Sequence, residues 1–230
     1  MLALIALSLP LPPGLEPWLQ AQLPDSERRR IARRRQVSDQ QLSLLAHGAL
    51  RHLLAPLLGC APAAVPIRSL PQGKPVLDMA QPDLHFNLSH SGERVLLGIA
   101  NRPLGVDIET LRLPVEPALI RSCSVSAEQD WLRSDADFYA LWCAKEAVLK
   151  LAGTGFSIGP QELSLSGHPD RTCTVQSQHP QLDGLHVQST TLEPDYAAAL
   201  CLESVLPSWE IERWDARLLP DSRLNRRRET

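Results

Sequence analysis

The chain has 230 residues, 43% of them hydrophobic and 21% charged, so it can bury one sizeable core or two small ones. Its net charge of −3 excludes a protein whose whole surface binds polyanions. The five cysteines include no Cys-X-X-Cys pair. This argues against a disulfide framework or a thiolate metal site and favours a reducing, cytoplasmic environment.

Residues 1–9 form the first apolar segment of the chain. A helix that spans a bilayer needs about 20 apolar residues, so this segment is too short to cross one. It lacks a basic start, and Pro10, Pro12 and Pro13 stand where a secretory signal would have small residues. We therefore predict a buried first strand and no association with a membrane.

Residues 28–35 contain six arginines. Such a run is typical of a solvated helical face with ordinary ion pairs, and it is equally suited to bind a phosphate or an acidic partner. Residues 38–58, which follow, repeat Leu and Ala at helical spacing. This spacing predicts an amphipathic helix packed on the core.

Shorter apolar runs separated by turns predict strands further along the chain. Residues 95–100 and 104–108 flank an Asn-Arg-Pro turn, which predicts a hairpin-like pair. Residues 118–132 and 136–151 are each predicted to be helical. The remaining strands are predicted at residues 163–165, 173–176, 185–191 and 196–203.

The order of these elements indicates an α+β fold, because each half has a strand, then a long helix, then more strands. Prolines near residue 113 mark the boundary between the halves. We predict an N-terminal half at residues 1–112, a C-terminal half at residues 113–220, and a mobile tail at residues 221–230.

A pair of carboxylates lies in the segment Gly105-Val106-Asp107-Ile108-Glu109. Side chains alternate between the faces of a strand, so Asp107 and Glu109 project together while Val106 and Ile108 face the core. Neighbouring carboxylates repel each other. The repulsion is offset either by bulk water or by a bound cation, and the segment alone fits both.

A third carboxylate, Glu146, lies four residues before Lys150 on the same face of the second predicted helix. A surface ion pair explains this spacing. Alternatively, Glu146 joins Asp107 and Glu109 as an oxygen ligand of magnesium, which binds few carboxylates and shares substrate phosphates. Lys150 would then point at those phosphates.

The segment at residues 85–92, His-Phe-Asn-Leu-Ser-His-Ser-Gly, brings hydroxyls, an imidazole and a glycine to the end of a strand. A histidine in such a segment is either a core residue or part of a group of donors that binds a phosphate. Upstream, Gly73-Lys74-Pro75 predicts a turn that carries a cation.

These segments, in this order, resemble the motifs of the 4'-phosphopantetheinyl transferases of the Sfp type. The matching residues are 73–75, 86–91, 105–109 and 142–150. The resemblance implies a pseudo-dimeric fold of two similar α+β halves in a monomer, with the active site in the cleft between them. It also implies magnesium- or manganese-dependent transfer of phosphopantetheine from coenzyme A to a serine of an apo acyl or peptidyl carrier protein, with release of adenosine 3',5'-bisphosphate.

Site residues follow from the resemblance, position by position. Asp107, Glu109 and Glu146 are implied to hold the metal ion. The residues implied to bind coenzyme A are Gly73, Lys74, Pro75, Ser89, His90 and Lys150.

The resemblance also bears on catalysis and on the 3'-phosphate of coenzyme A. Glu146 is the first choice for the base that accepts the serine proton, directly or through a metal-bound water, and Glu128 is the second. Lys150 is implied to assist at the phosphates. Arg28 and Arg30 are favoured as ligands of the 3'-phosphate, although the arginine run could equally attract an acidic helix of the carrier.

Two other classes of function fit the sequence less well than the transferase. Residues 155–159 match the Gly-X-Ser-X-Gly pattern of a hydrolase around Ser157, but a predicted helix precedes them and a strand follows, the reverse of a nucleophile elbow. A nucleic-acid binder would need aromatic residues near its cations. Aromatics make up 4% of the chain and none lies in the arginine run, so we predict no nucleic-acid partner.

Overall fold

A computed structural model describes residues 1–80, 83–154, 157–205, 208–222 and 224, and it shows a mixed α+β fold with several sheets. The helices are α1 Leu15–Ala21, α2 Asp25–Ala32, α3 Val37–Leu58, α4 Pro117–Cys123 and α5 Asp135–Ala152. The strands are β1 Leu2–Ser8, β2 Ile67–Ser69, β3 Pro75–Leu77, β4 His85–Ser91, β5 Arg94–Ala100, β6 Leu104–Thr110, β7 Leu163–Leu165, β8 Cys173–Ser177, β9 His186–Thr191, β10 Tyr196–Leu202 and β11 Glu212–Arg213. None of the helices in these residues has the length and hydrophobicity that crossing a membrane requires.

The first sheet has the strand order β11-β1-β5-β4. Strand β1 lies inside this sheet, antiparallel to β5 along its whole length, which confirms the predicted buried first strand. The long helix α3 confirms the prediction for residues 38–58. It is buried along its apolar face, where Leu45, Leu53 and Leu54 are fully enclosed in the same core as β1 and β5.

The second sheet has the strand order β6-β10-β9-β8-β7, with β6 at its edge. All seven residues of β6 pair antiparallel with β10, from Leu104 opposite Leu202 to Thr110 opposite Tyr196. The predicted β5–β6 hairpin is therefore wrong. Strand β5 already has β1 on one side and β4 on the other, so it has no free edge to offer. The strand that carries Asp107 and Glu109 therefore belongs to the second sheet, together with β7 to β10.

Helix α5 confirms the prediction for residues 136–151 and packs on the second sheet. A capping box starts it, in which Ser134 Oγ accepts from Asp137 N at 3.2 Å and Asp137 Oδ2 accepts from Ser134 N at 2.8 Å. The helix approaches β6 closely at Gly105, because a Cβ atom there would lie 1.9 Å from the carbonyl oxygen of Ala147. This contact places Glu146 and Lys150 over the carboxylates of β6.

The helix predicted at residues 118–132 is shorter than expected. Helix α4 ends at Cys123, and a single 3₁₀ turn, Ser126–Glu128, follows it. The chain turns here because the amide of Val125 donates to the Glu128 carboxylate at 2.9 Å. In a continuous helix this amide would instead donate to a main-chain carbonyl of the preceding turn.

The five cysteines are all unpaired. Most of the tail predicted to be mobile, residues 223 and 225–230, lies outside the described residues.

Candidate active site

Asp107 forms the centre of a buried polar cluster on β6. It is only 2% exposed. Its Oδ1 atom accepts hydrogen bonds from Ser89 Oγ at 2.8 Å and from the Lys150 ammonium at 2.5 Å. Within the described residues its other oxygen, Oδ2, is buried and makes no hydrogen bond of normal geometry, although the buried Cys143 thiol is close enough for Asp107 to raise its pKa. Because a buried carboxylate oxygen is costly to leave unpaired, Oδ2 is suited to meet a ligand.

The other two carboxylates lie beside Asp107, one on β6 and one on α5. Burial raises the pKa of Glu109, and the charge of Asp107 adds to the rise, while a hydrogen bond from Ser91 Oγ at 2.6 Å opposes it. Burial raises the pKa of Glu146 to about 7, and the charges of Asp107 and Glu109 contribute to the rise. The helix and the strand therefore bring three carboxylates within electrostatic range of one another.

Two lysines flank this cluster at a cavity of about 210 Å³, lined by Lys74, Lys150, Glu146 and Asn87 among others. Lys150 donates to Ser89 Oγ at 2.6 Å as well as to Asp107. Lys74 donates to the carbonyl of Leu151 at 2.7 Å, and burial lowers its pKa to about 8. The cavity thus offers two ammonium groups to an anion.

The turn before β3 sets the position of Lys74. Gly73 has a φ of 91°, in the left-handed region that favours glycine, and its amide donates to Leu70 O at 2.8 Å. Leu70 N in turn donates to Lys74 O at 2.8 Å. The predicted turn is therefore present, and Pro75 lines the small cavity beside Lys74.

His90 lies on the other side of the cluster, at a second cavity of about 690 Å³ that Glu109, Ser91 and Trp142 also line. Desolvation lowers the pKa of His90, and the positive charges of Arg34 and Lys150 lower it further. Arg34, in the loop after α2, is therefore close enough to act on His90. This loop is held by Gln40, whose side-chain amide donates to Arg34 O at 2.9 Å.

Glu128 does not join the cluster. It is fully buried, and its Oε2 atom accepts from the Lys145 ammonium at 2.7 Å, while Oε1 accepts from Leu165 N at 3.0 Å. Lys145 is also fully buried and donates to Cys123 O at 2.9 Å. This ion pair connects α5 to the turn after α4, and neither cavity at the cluster is lined by Glu128.

Neither of the two favoured arginines lines the cavities at the cluster. Arg28 forms an ion pair with Asp25 and donates to Leu23 O at 3.0 Å, so it closes the turn between α1 and α2. Arg30 lies 3.9 Å from Glu27 and its side chain is 59% exposed. Of the arginines in the run, Arg34 is the one whose charge lowers the pKa of His90.

The residues arranged around the cluster also include two that belong to the motif at residues 86–91 but were assigned no role from the sequence. Asn87 Oδ1 accepts from the amide of Val106 at 2.8 Å, and Ser91 holds Glu109. The signal for both was present, because Asn87, Ser89 and Ser91 alternate in β4 with the same period as Asp107 and Glu109 in β6.

The cluster has the chemistry of a hard-cation site. No three His, Cys, Asp or Glu side chains in the described ranges are arranged to hold a metal ion as they stand. Here the Lys150 ammonium supplies the positive charge next to Asp107. Three mutually repelling carboxylates and the unpaired Oδ2 atom of Asp107 nevertheless form the oxygen donor set that magnesium prefers.

Ser157, the nucleophile of the alternative hydrolase, lies just beyond the end of α5. Its exposed hydroxyl donates to the carbonyl of Thr154 at 2.5 Å. Residues 155 and 156 of the matching pattern lie outside the described residues. The segment follows a helix and leads to the 3₁₀ turn Pro160–Glu162, so it lacks the strand–turn–helix geometry of a nucleophile elbow.

Family models match both parts of the chain. One, described as the 4'-phosphopantetheinyl transferase superfamily, matches residues 103–201. Another, described as 4'-phosphopantetheinyl transferase, N-terminal, matches residues 12–102. The two matches meet between β5 and β6, which is also where the chain passes from the first sheet to the second.

Individual relatives agree with these matches. The 4'-phosphopantetheinyl transferase psf-1 of Bacillus pumilus is 31% identical over 193 residues, which cover 81% of this chain and 82% of that protein. A 4'-phosphopantetheinyl transferase of Bacillus subtilis is 26% identical over 197 residues, 84% of this chain and 87% of that protein. The 4'-phosphopantetheinyl transferase gsp of Aneurinibacillus migulanus is 34% identical over 128 residues, which cover 53% of this chain and 52% of that protein. Because the likeness to psf-1 covers most of both chains, this chain belongs to the 4'-phosphopantetheinyl transferase family.

Proposed function

We propose that this chain transfers 4'-phosphopantetheine from coenzyme A to a serine of an apo acyl or peptidyl carrier protein, with Asp107, Glu109 and Glu146 holding Mg²⁺ or Mn²⁺. The supporting observation is that these carboxylates converge from β6 and α5 next to a cavity lined by Lys74 and Lys150. When bound, the ion would neutralise the diphosphate of coenzyme A and stabilise the leaving oxygen.

The lysines and His90 supply the protein's own contacts to the phosphates. Lys150 already donates to two oxygen acceptors, Ser89 and Asp107, and a diphosphate oxygen bound in the same cavity would be a third. Lys74 adds a second cation at this cavity. A neutral His90, favoured by its lowered pKa, donates one ring N–H to a phosphate oxygen.

Glu146 is the base in this proposal. Its carboxylate converges with Asp107 and Glu109, and a bound ion would lower its pKa from the value of about 7 in the ion-free protein, so that it is ionised at neutral pH and can accept the serine proton directly or through a water. Glu128 is not retained as an alternative, because its carboxylate is fully buried and bonded to Lys145, Val125 and Leu165. It cannot reach a serine on another protein.

We also propose that the chain is a monomer of two related halves with the site between them. Each half has a sheet backed by one long helix, α3 in the first and α5 in the second, and the strands pair antiparallel except for the parallel pair of β1 with β11. The edge strands β4 and β6 face each other where the halves meet. This arrangement favours a boundary between β5 and β6 over the one expected near residue 113.

Mass spectrometry of carrier proteins tests the proposed reaction. The protein is incubated with coenzyme A, Mg²⁺ and apo-carriers of fatty-acid, polyketide and nonribosomal-peptide synthesis. We expect at least one carrier to gain the mass of phosphopantetheine, and the gain to disappear when EDTA removes the ion. If no carrier is modified, or if EDTA has no effect, the proposed reaction or its metal dependence is wrong.

Arg34 is expected to recognise the 3'-phosphate of coenzyme A together with His90. Replacing Arg34 by alanine should raise the KM for coenzyme A about tenfold, because a charge-assisted hydrogen bond is lost. The KM for 3'-dephospho-coenzyme A should not change. Arg28→Ala is the matched control, since Arg28 is paired with Asp25, and it should leave both values unchanged. Equal effects of Arg34→Ala on the two substrates would contradict this assignment.

The raised pKa of Glu146 predicts a pH-dependent stability of the ion-free protein. An exposed glutamate has a pKa of 4.5, whereas the pKa of Glu146 in the folded protein is about 7, so the folded state binds more protons between these values. The contribution of Glu146 to the free energy of unfolding should therefore fall as the pH rises from about 4.5 to 7, by an amount on the order of 1 kcal/mol. The lowered pKa of His47 acts in the opposite direction, so the contribution of Glu146 is obtained as the difference between the wild type and Glu146→Gln. Urea unfolding in EDTA at pH 5 and pH 8 measures this loss. Glu146→Gln should reduce it, and an unchanged pH dependence would refute the pKa shift.

A further inference from the structure

Strand β4 contacts the edge of β6 through every second side chain. Asn87 accepts the amide of Val106, Ser89 donates to Asp107, and Ser91 donates to Glu109. All three β4 residues are buried. Because side chains in a strand alternate with a period of two, these residues follow the same spacing as the two carboxylates of β6. We call Asn87, Ser89 and Ser91 the β4 ladder.

Ser91 differs from the other members of the ladder because its hydroxyl is fixed at two points on β6. It donates to Glu109 Oε2 at 2.6 Å and accepts from the amide of Thr110 at 3.1 Å. The Thr110 amide directs the oxygen lone pair, so the hydroxyl proton is left to point at the carboxylate. The orientation of the Ser91 hydroxyl is therefore fixed by the main chain of Thr110 and directed at the Glu109 carboxylate.

Glu109 needs such a contact more than Asp107 does. Its side chain is longer and half-buried, and it lines the cavity of about 690 Å³ that leads to solvent. Asp107 and Glu146 both carry charges that repel it. The Trp142 side chain also hydrogen-bonds Glu109 and lines the same cavity. Without Ser91 the carboxylate would therefore gain hydration and rotamer freedom by turning into the large cavity, towards Trp142 and water.

We infer that Ser91 is the positioning residue of Glu109 and holds its carboxylate beside Asp107 and Glu146, ready to meet a divalent ion. The inference rests on the proposed function, which assigns the ion to these carboxylates. Ser91 acts through Glu109 and not by touching substrate. Hydrogen-bond partners of metal ligands typically contribute about ten- to a hundredfold to metal affinity.

Mn²⁺ binding to the protein in the presence of coenzyme A, without a carrier and so without turnover, tests this inference. Free Mn²⁺ is followed by its paramagnetic resonance signal. We expect Ser91→Ala to weaken Mn²⁺ binding about ten- to a hundredfold. Ser91→Cys nearly preserves the side-chain volume but donates poorly, and it should weaken binding in the same direction. Ser43→Ala is the matched control, because Ser43 is a buried serine whose hydroxyl has no partner among the described residues.

A double-mutant cycle separates positioning from a general loss of structure. In the Glu109→Gln background, Ser91→Ala should change Mn²⁺ affinity and kcat/KM less than about twofold, because the residue that Ser91 positions is already altered. Measuring the transfer rate in the same four proteins keeps the comparison possible if Glu109→Gln binds Mn²⁺ too weakly to detect. Equal losses from Ser91→Ala in both backgrounds would overturn the inference.

The wild-type protein distinguishes failure of this inference from failure of the proposed function. If it binds no Mn²⁺ and modifies no carrier, the proposed function is wrong, and the role inferred for Ser91 is wrong as well. If it does both and the Ser91→Ala and Ser91→Cys proteins match it in Mn²⁺ affinity, only the inference is wrong.

Discussion

Replacing Asp107 by asparagine is expected to lower the rate of phosphopantetheine transfer roughly a thousandfold, which is the scale of losing a main source of charge stabilisation. Asparagine keeps the shape of the buried side chain and can still accept from Ser89 and Lys150 through its amide oxygen. It removes the negative charge that Oδ2 offers to an ion. Activity is measured as carrier modification under saturating coenzyme A and Mg²⁺, and folding by circular dichroism. Normal activity in Asp107→Asn would refute the metal assignment.

Glu128→Gln provides a control with the opposite expected outcome. Like Asp107, Glu128 is a buried carboxylate bonded to a lysine. Its partner Lys145 is fully enclosed, so breaking the pair leaves a buried charge and should cost about 3–5 kcal/mol of the free energy of unfolding. The protein that remains folded should transfer phosphopantetheine at nearly the normal rate. A stable but inactive Glu128→Gln protein would restore Glu128 as a candidate base.

Much of the secondary structure could be predicted because it depends on local periodicity. The apolar run of β1 and the helical spacing in α3 and α5 are sufficient to place these elements within about two residues. The end of α4 could not be predicted in this way. It depends on Glu128 and its buried partner Lys145, which lies 17 residues further along the chain.

Strand pairing was harder to predict for the same reason. The partner of β6 is β10, which follows α5 in the chain. No local signal in the sequence indicates that β6 pairs with β10 and not with β5, the strand that directly precedes it. The sequence motifs nevertheless located the carboxylate cluster, because alternation in a strand and four-residue spacing in a helix fix which side chains share a face. The sequence could not distinguish the arginines, because their individual contacts, such as the ion pair of Arg28 with Asp25 and the influence of Arg34 on His90, depend on the fold.

Gly105→Ala should disrupt the packing on which the whole site depends. The added Cβ atom would lie 1.9 Å from Ala147 O and 2.7 Å from Leu151 N, which are main-chain atoms of α5 that no rotamer change can move. We expect the free energy of unfolding to fall by at least about 3 kcal/mol. In any protein that folds, α5 must shift away from β6 and carry Glu146 and Lys150 with it, so transfer activity should be lost as well.

Two other glycines show whether this effect comes from contact with the helix backbone. A Cβ atom on Gly98 would meet side-chain atoms, Leu104 Cδ1 at 2.7 Å and Val106 Cγ1 at 2.8 Å, which can adjust, so Gly98→Ala should cost about 1–2 kcal/mol. Gly167 has nothing within 4 Å of such an atom, and Gly167→Ala should stay within about 0.5 kcal/mol of the wild type. Urea unfolding of the three variants measures their free energies of unfolding and shows whether Gly105→Ala is the least stable and Gly167→Ala the most stable. If Gly105→Ala were as stable and active as Gly167→Ala, α5 could not lie against β6 as described, and the convergence of Glu146 with Asp107 would have no structural basis.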